Sequence, residues 1–170
     1  MLNYFYKFKG EGVALPPKAK IKDIIFAWIG SFIAISTVAI LTNITKYPLV
    51  LGSFGASCVL LFGFPKSPFS QPRNVILGHT LSSLIGLLFF HYVSNEWWGL
   101  GLALATAVAI MIATRTVHPP AGSNPVIVYL TGAKWNFLIT PTLLGAIILV
   151  LVALLYINLD KAKRYPSYWF

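Results

Sequence analysis

From Ile24 to Thr45 the chain runs without one ionisable side chain, and this run limits the possible folds more than any other feature. An apolar stretch of about 20 residues is long enough to cross a lipid bilayer as a single helix. Val75 to Tyr92, Trp97 to Thr114 and Trp135 to Leu159 are similar, the first of these carrying His79 and His91. Composition agrees. Hydrophobic residues make up 57% of the chain and charged residues 10%, with a mean hydropathy of +0.76, against roughly 25% charged in an ordinary soluble domain. The expectation is an integral membrane protein, all-α, with room for one helical bundle and no separate soluble domain. The first run is too long for a signal peptide and lacks a small-residue cleavage site.

Two further stretches, Tyr47 to Pro65 and Thr116 to Ala133, open with proline or small polar residues. Only their second halves, Ala56 to Phe64 and Ser123 to Leu130, look helical. Each reads as a broken crossing, extended chain followed by a half-helix. Irregular backbone at membrane depth survives only where it is buried in protein or lines a polar cavity, because lipid offers no hydrogen bonds. The stretch T-V-H-P-P-A-G-S-N-P, Thr116 to Pro125, is therefore the leading candidate for the working site.

The net charge of +9 sits in clusters at segment ends, with no interleaved aromatics of the kind a base-stacking platform needs, so it reads as topology and not as nucleic-acid binding. With six crossings and the N-terminus inside, every Lys and Arg except Lys46 and Lys134 falls on the inner side. If the short segments only dip and return, Lys66, Arg73 and Arg115 move outside. The positive-inside rule favours six crossings with both termini cytoplasmic. The location expected is a bacterial inner (plasma) membrane. Residues 1–23 form the N-terminal segment, 24–159 the transmembrane domain and 160–170 the C-terminal tail.

Residues 24–92 and 97–159 each form a long–broken–long triplet, and F-G-A-S (Phe54 to Ser57) answers P-A-G-S (Pro120 to Ser123). Three crossings per copy turn the second copy over. The expected fold is thus a six-crossing bundle arranged as a 3+3 inverted repeat, an architecture that builds a substrate site near the midplane. In that geometry the half-helix N-termini face one another across a small gap and offer free N–H groups and positive dipole ends to an anion. Ser53, Phe54, Gly55, Ala56 and Ser57 line it from one side; His118, Pro119, Pro120, Ala121, Gly122, Ser123 and Asn124 line it from the other. Pro119 and Pro120 hold the approach extended, Gly55 and Gly122 let an ion near the backbone, and Ser57, Ser123 and Asn124 either donate or cap.

H-P-P-A-G (His118 to Gly122) followed by S-N-P resembles the signature of the HPP family of small integral membrane proteins. F-S-Q-P-R-N-V (Phe69 to Val75), G-H-T-L-S-S-L-I-G (Gly78 to Gly86) and the P-P-K of the N-terminus (Pro16 to Lys18) are similar to the family as well. The resemblance covers nearly the whole chain. It implies a membrane protein whose characterised relatives are nitrite transporters of cyanobacteria and chloroplasts, in a family often described with four membrane helices.

His118 suits either of two roles: donating to an anion or carrying a coupled proton, or tying a loop through a backbone carbonyl. His79 lies about one turn inside its segment, and Arg73 and Arg115 stand at inner helix ends, where they snorkel, bind lipid phosphate or draw anions to the mouth. His91 lies near the outer interface and is expected to be solvated. Only Glu11, Asp23, Glu96 and Asp160 are acidic, all near segment ends, so no intramembrane carboxylate pair serves acid–base chemistry and no metal site or cofactor is expected. The lone Cys58 reads as a packed core thiol. The function expected is transport of a small monovalent anion such as nitrite or nitrate; an anion channel, or a scaffold subunit without transport, are the alternatives. Gly99 with Gly101, or Gly78 with Gly86, offer faces for a homodimer.

Overall fold

A computed structural model describes residues 2–169, and the regular structure among them is entirely helical. A short helix α1 (Leu2–Tyr6) precedes α2 (Ile21–Thr45). Next come α3 (Ser53–Cys58), which widens into a π-turn over Val59–Gly63, and the long α4 (Pro72–Tyr92). Then α5 (Trp97–Ala113) leads to a 3-10 turn at Pro119–Ser123 that runs into α6 (Asn124–Thr131). The last span enters through Trp135–Leu143 and ends as α7 (Leu144–Ile157). Three spans, Ile21–Thr45, Pro72–Tyr92 and Trp135–Ile157, are long and apolar enough to cross a membrane. Trp28, Phe32, Ile40 and Ile44 on α2 are exposed, as lipid-facing side chains are.

Both short segments are broken as their sequences indicate, although the helical parts are longer, starting at Ser53 and Pro119. The last long apolar segment, Trp135–Ile157, is broken too, contrary to the expected continuous helix. Thr140 adopts φ −125°, ψ 118°, because the proline that follows it pushes its backbone out of the helical region. Lys20, Lys66 and Arg164 line a recess of about 790 Å3 at one end of the bundle. Gly52, Lys134 and Thr140 line another, of about 490 Å3, at the opposite end of α2.

Several local contacts recur in residues 24–92 and 97–159. Helices α2 and α5 each stop at a basic residue in the left-handed region, Lys46 (φ 62°) and Arg115 (φ 56°), immediately before a broken segment. A Cβ added to Gly78 would lie 2.9 Å from Thr116 O, and one added to Gly145 would lie 2.7 Å from Leu49 O, so each half's third span touches the other half's broken segment in the same place. Gly30 is held against Phe62, and Gly99 in the same way against the Tyr129 hydroxyl. Gly86 packs on Pro125. Three of the four glycines expected to face a second subunit, Gly78, Gly86 and Gly99, are thus used inside this one.

The C-terminal tail is docked. The Tyr165 hydroxyl donates to Ser70 O (2.8 Å), Ser167 N–H donates to Gln71 Oε1 (2.8 Å), and Asn158 holds the Tyr165 backbone through both its amide atoms. Lys163 pairs with Asp23 (3.3 Å) and Lys22 with Asp160 (3.7 Å), joining the tail to the start of α2.

Candidate functional site

The broken segments do meet, but not tip to tip. They run antiparallel past each other: Gly52 lies near Ile127, and Ser57 Oγ is 2.9 Å from His118 Nε2. The expected gap between the two helix N-termini is filled by the side chains of Phe54, His79, His118 and Asn124, each with no exposed surface. Overlap wins over end-to-end approach because it buries apolar surface and brings the polar groups of each segment within reach of the other.

Helix α4 makes this possible. Along one face it presents Asn74, His79, Ser82 and Ser83, all buried. Asn74 Nδ2 donates to Val117 O (2.9 Å) and Ser82 Oγ to Ala121 O (2.7 Å). Ser83 Oγ and Thr142 Oγ1 are 3.0 Å apart. The first two bonds give side-chain donors to carbonyls of the irregular Thr116–Ser123 run, Ala121 O accepting from the Asn124 N–H as well, as membrane burial favours. Gly78 lets the segment approach: a Cβ there would sit 2.8 Å from the His118 Cβ.

At the centre lies one connected polar cluster. His118 Nδ1 donates to Phe69 O (2.7 Å), since a carbonyl can only accept. In a neutral ring Nε2 is then an acceptor, and the Ser57 hydroxyl donates to it (2.9 Å). His79 Nε2 is also 2.9 Å from Ser57 Oγ. With the serine proton committed to His118, His79 Nε2–H donates to that oxygen. His79 Nδ1 then accepts from Asn124 Nδ2 (3.1 Å), which also donates to Ser83 Oγ (2.9 Å). The imidazole centroids are 4.9 Å apart, with Phe54 edge-on to His79 at 5.1 Å. Two buried polar atoms of the cluster have no hydrogen-bond partner, Ser53 Oγ and Asn124 Oδ1.

Not every candidate from the sequence joins this cluster. Ser53, Phe54, Ser57, His79, His118 and Asn124 do, and Pro120 and Ala121 are buried beside it. Gly55, Ala56, Pro119 and Ser123 are exposed, Gly122 is half-buried, and a Cβ on Gly55 or Gly122 would meet nothing within 4 Å, so neither glycine lines a tight passage. No serine or asparagine caps α3 or α6; Ser123 Oγ donates to Pro120 O instead. Arg73 spans to Thr114 O (2.9 Å), Arg115 is exposed, and His91, also exposed, binds Ala133 O (2.9 Å). Asn74, Ser82, Ser83 and Thr142 escaped the sequence reading. Their signal was the recurrence of polar and small residues on α4 at helical spacing, Asn74, Gly78, Ser82 and Gly86. Among the described residues no group of three or more His, Cys, Asp or Glu side chains is placed to hold a metal.

Residues 16–166 match the family model described as HPP, transmembrane region. Two transmembrane proteins of Dictyostelium discoideum resemble the chain, one 35% identical over 99% of it and 58% of the relative, the other 34% identical over 99% and 64%. The chain therefore spans less than two thirds of the length of these curated relatives. An MFS-type transporter of Acremonium, ucsD, is 34% identical over 50% of the chain and 17% of that protein. No solved structure matches.

Proposed function

The chain belongs to the HPP transmembrane family, and from that premise we propose that it carries a small monovalent anion, of the nitrite or nitrate class, across the membrane. One observation carries the reading. Two interrupted helices join over a buried polar cluster in an apolar bundle, and the Ser53 hydroxyl there, a donor that an anion can accept from, has no partner. Buried polar atoms without partners are costly, so a ligand that supplies the missing contact binds with advantage. The local likeness to a transporter supports movement of solute over a purely structural role.

The recesses supply two mouths. The larger is rich in Lys20, Lys22, Lys66, Lys163 and Arg164 against Asp23 and Asp160, and its positive potential concentrates anions. The smaller reaches Gly52, next to Ser53, and carries Lys134. The paired contacts of Gly78 with Gly145 and of Gly30 with Gly99 support a six-crossing, inverted-repeat arrangement. In the orientation we favour the larger, more basic recess is cytoplasmic, as are both termini. Exposed Gly101, Ala105 and Ala109 on α5 give a small-residue face on which a homodimer packs.

Liposome flux with a panel of anions tests the function. Nitrite and nitrate should pass, while sulfate and phosphate should not, because stripping water from a divalent ion costs far more than this uncharged cluster returns. Flux of cations or neutral solutes with no anion flux would overturn the reading.

A further inference from the structure

We propose that the larger basic recess holds the headgroup of an anionic phospholipid whose acyl chain lies in an apolar groove beside α2, a binding site that does not rest on the transport reading above. The groove, about 500 Å3, is lined by Ala27, Trp28 and Phe32 of α2 and by Cys58, Val59 and Gly63 of α3 and its π-turn. The recess, about 790 Å3, lies at the end of the same helices and is also lined by Gly63. One residue thus borders both. A Cβ added to Gly63 would meet nothing within 4 Å, so the junction between groove and recess is open.

Charge selects the headgroup. Five cations line the recess against two carboxylates, and two of the five are spent: Lys22 on Asp160 (3.7 Å) and Lys163 on Asp23 (3.3 Å). Among the described residues Lys20, Lys66 and Arg164 have no ion pair, and all three are exposed. Lys66 and Arg164 also share the adjoining recess of about 410 Å3, so one phosphate can meet an ammonium and the fork of a guanidinium together. Ser67 Oγ accepts from the Phe69 N–H (3.2 Å), and its own proton is left to donate. The trimethylammonium of a phosphatidylcholine would be repelled by these cations. A singly negative headgroup is attracted, and it leaves the recess still positive, as the mouth described above requires.

Depth selects the rest of the molecule. At about 1.5 Å per residue, Ala27 to Phe32 lie about 9–17 Å along α2 from Ile21. Half of a bilayer's hydrocarbon core is about 15 Å thick, so a headgroup at the charged start of α2 sets its first acyl carbons in the groove. Trp28 and Phe32, 68% and 60% exposed, stack with their ring planes 3° apart and make one apolar wall. Val59, 60% exposed, lines the other side. A soluble phosphate would use the recess alone and gain nothing from the groove. The two together fit a ligand with one charged end and one long apolar end.

The test is native mass spectrometry of the full chain in detergent, titrated with phosphatidylglycerol or phosphatidylcholine of matched acyl chains. Phosphatidylglycerol should bind about tenfold or more tightly. Lys66→Glu with Arg164→Glu should lose about tenfold or more of that affinity. Lys18→Glu with Lys161→Glu makes the same change in net charge at exposed positions outside the recess, and should keep it. Gly63→Leu, which fills the open junction, should weaken phosphatidylglycerol binding and leave binding of soluble glycerol 3-phosphate unchanged. Equal affinity for the two lipids, or equal losses from the two double variants, overturns the site. Glycerol 3-phosphate that displaces phosphatidylglycerol at equal concentration, with Gly63→Leu binding the lipid as the wild type does, would reveal a free-phosphate site and overturn the lipid. If the glutamate variant does not fold, Lys66→Gln with Arg164→Gln takes its place, and wild-type affinity there overturns the site as well. No readout here involves anion flux, so failure of the transport reading leaves the lipid site standing.

Discussion

Gly78 and Asn74 set how closely the irregular chain approaches α4. Replacing Gly78 by Ala places a methyl 2.8 Å from the His118 Cβ and 2.9 Å from Thr116 O, two neighbours fixed by backbone. Overpacking of this kind costs about 1–3 kcal/mol. Gly55→Ala on α3 meets nothing within 4 Å and serves as the control. Thermal unfolding in detergent should show a clear loss for Gly78→Ala and none for Gly55→Ala; equal midpoints would mean that the close approach is unimportant. Asn74→Ala removes the donor to Val117 O. A carbonyl stranded at this depth costs about 1–3 kcal/mol, and anion flux should fall with stability, since the same carbonyl run carries His118.

Among the elements, the C-terminal tail does more than its composition suggests. It holds the 67–71 loop, and that loop provides Phe69 O to His118. Tyr165→Phe deletes the donor to the fully buried Ser70's carbonyl, and a loss of about 1 kcal/mol or more is expected. The pH dependence has a defined sign. Burial pushes the Tyr165 phenol above its ordinary value of 10.0, so above about pH 10 the unfolded chain releases a proton that the folded one retains. Stability from this group is therefore full below pH 10 and declines as pH rises further. Unfolding midpoints followed from pH 8 to 11 should fall at the alkaline end in the wild type and fall less in Tyr165→Phe. A matching decline in both would assign the effect to another group. Beside it, the Ala162 N–H holds the half-buried Asp160 carboxyl below the usual carboxylate range, with Lys22 adding to the effect.

For the molecule as a whole, the proposed six crossings make a prediction about sidedness. Lys66 belongs to the larger recess and Lys134 to the smaller, at opposite ends of the bundle. In intact cells a membrane-impermeant thiol reagent should label Lys134→Cys and spare Lys66→Cys until the membrane is opened. Labelling of both from outside would leave only four crossings. The buried wild-type Cys58 should contribute little background. The proposed inverted repeat is imperfect. The contacts of Gly78 and Gly145 correspond, yet the residue after Gly78 is His79 and the one after Gly145 is Ala146.

The apolar runs, the two interruptions and the sequence around His118 determined the membrane class, the family likeness and where backbone would break. These are local properties: run length against bilayer thickness, and proline or glycine against helix geometry. Ser57, His118 and Asn124 were legible as candidates because polar side chains within a broken apolar segment have few places to go. What the tertiary structure alone decided is how the breaks meet. The linear chain does not say whether two half-helices face each other or slide past, since that depends on burying Phe54 and on α4 supplying hydrogen bonds from Asn74 and Ser82 to carbonyls about 40 residues away in the chain. The joining of His79 and His118 through Ser57, and the tail over the 67–71 loop, have the same origin. Each pairs groups far apart in the chain, and only the folded bundle brings such groups within 3 Å.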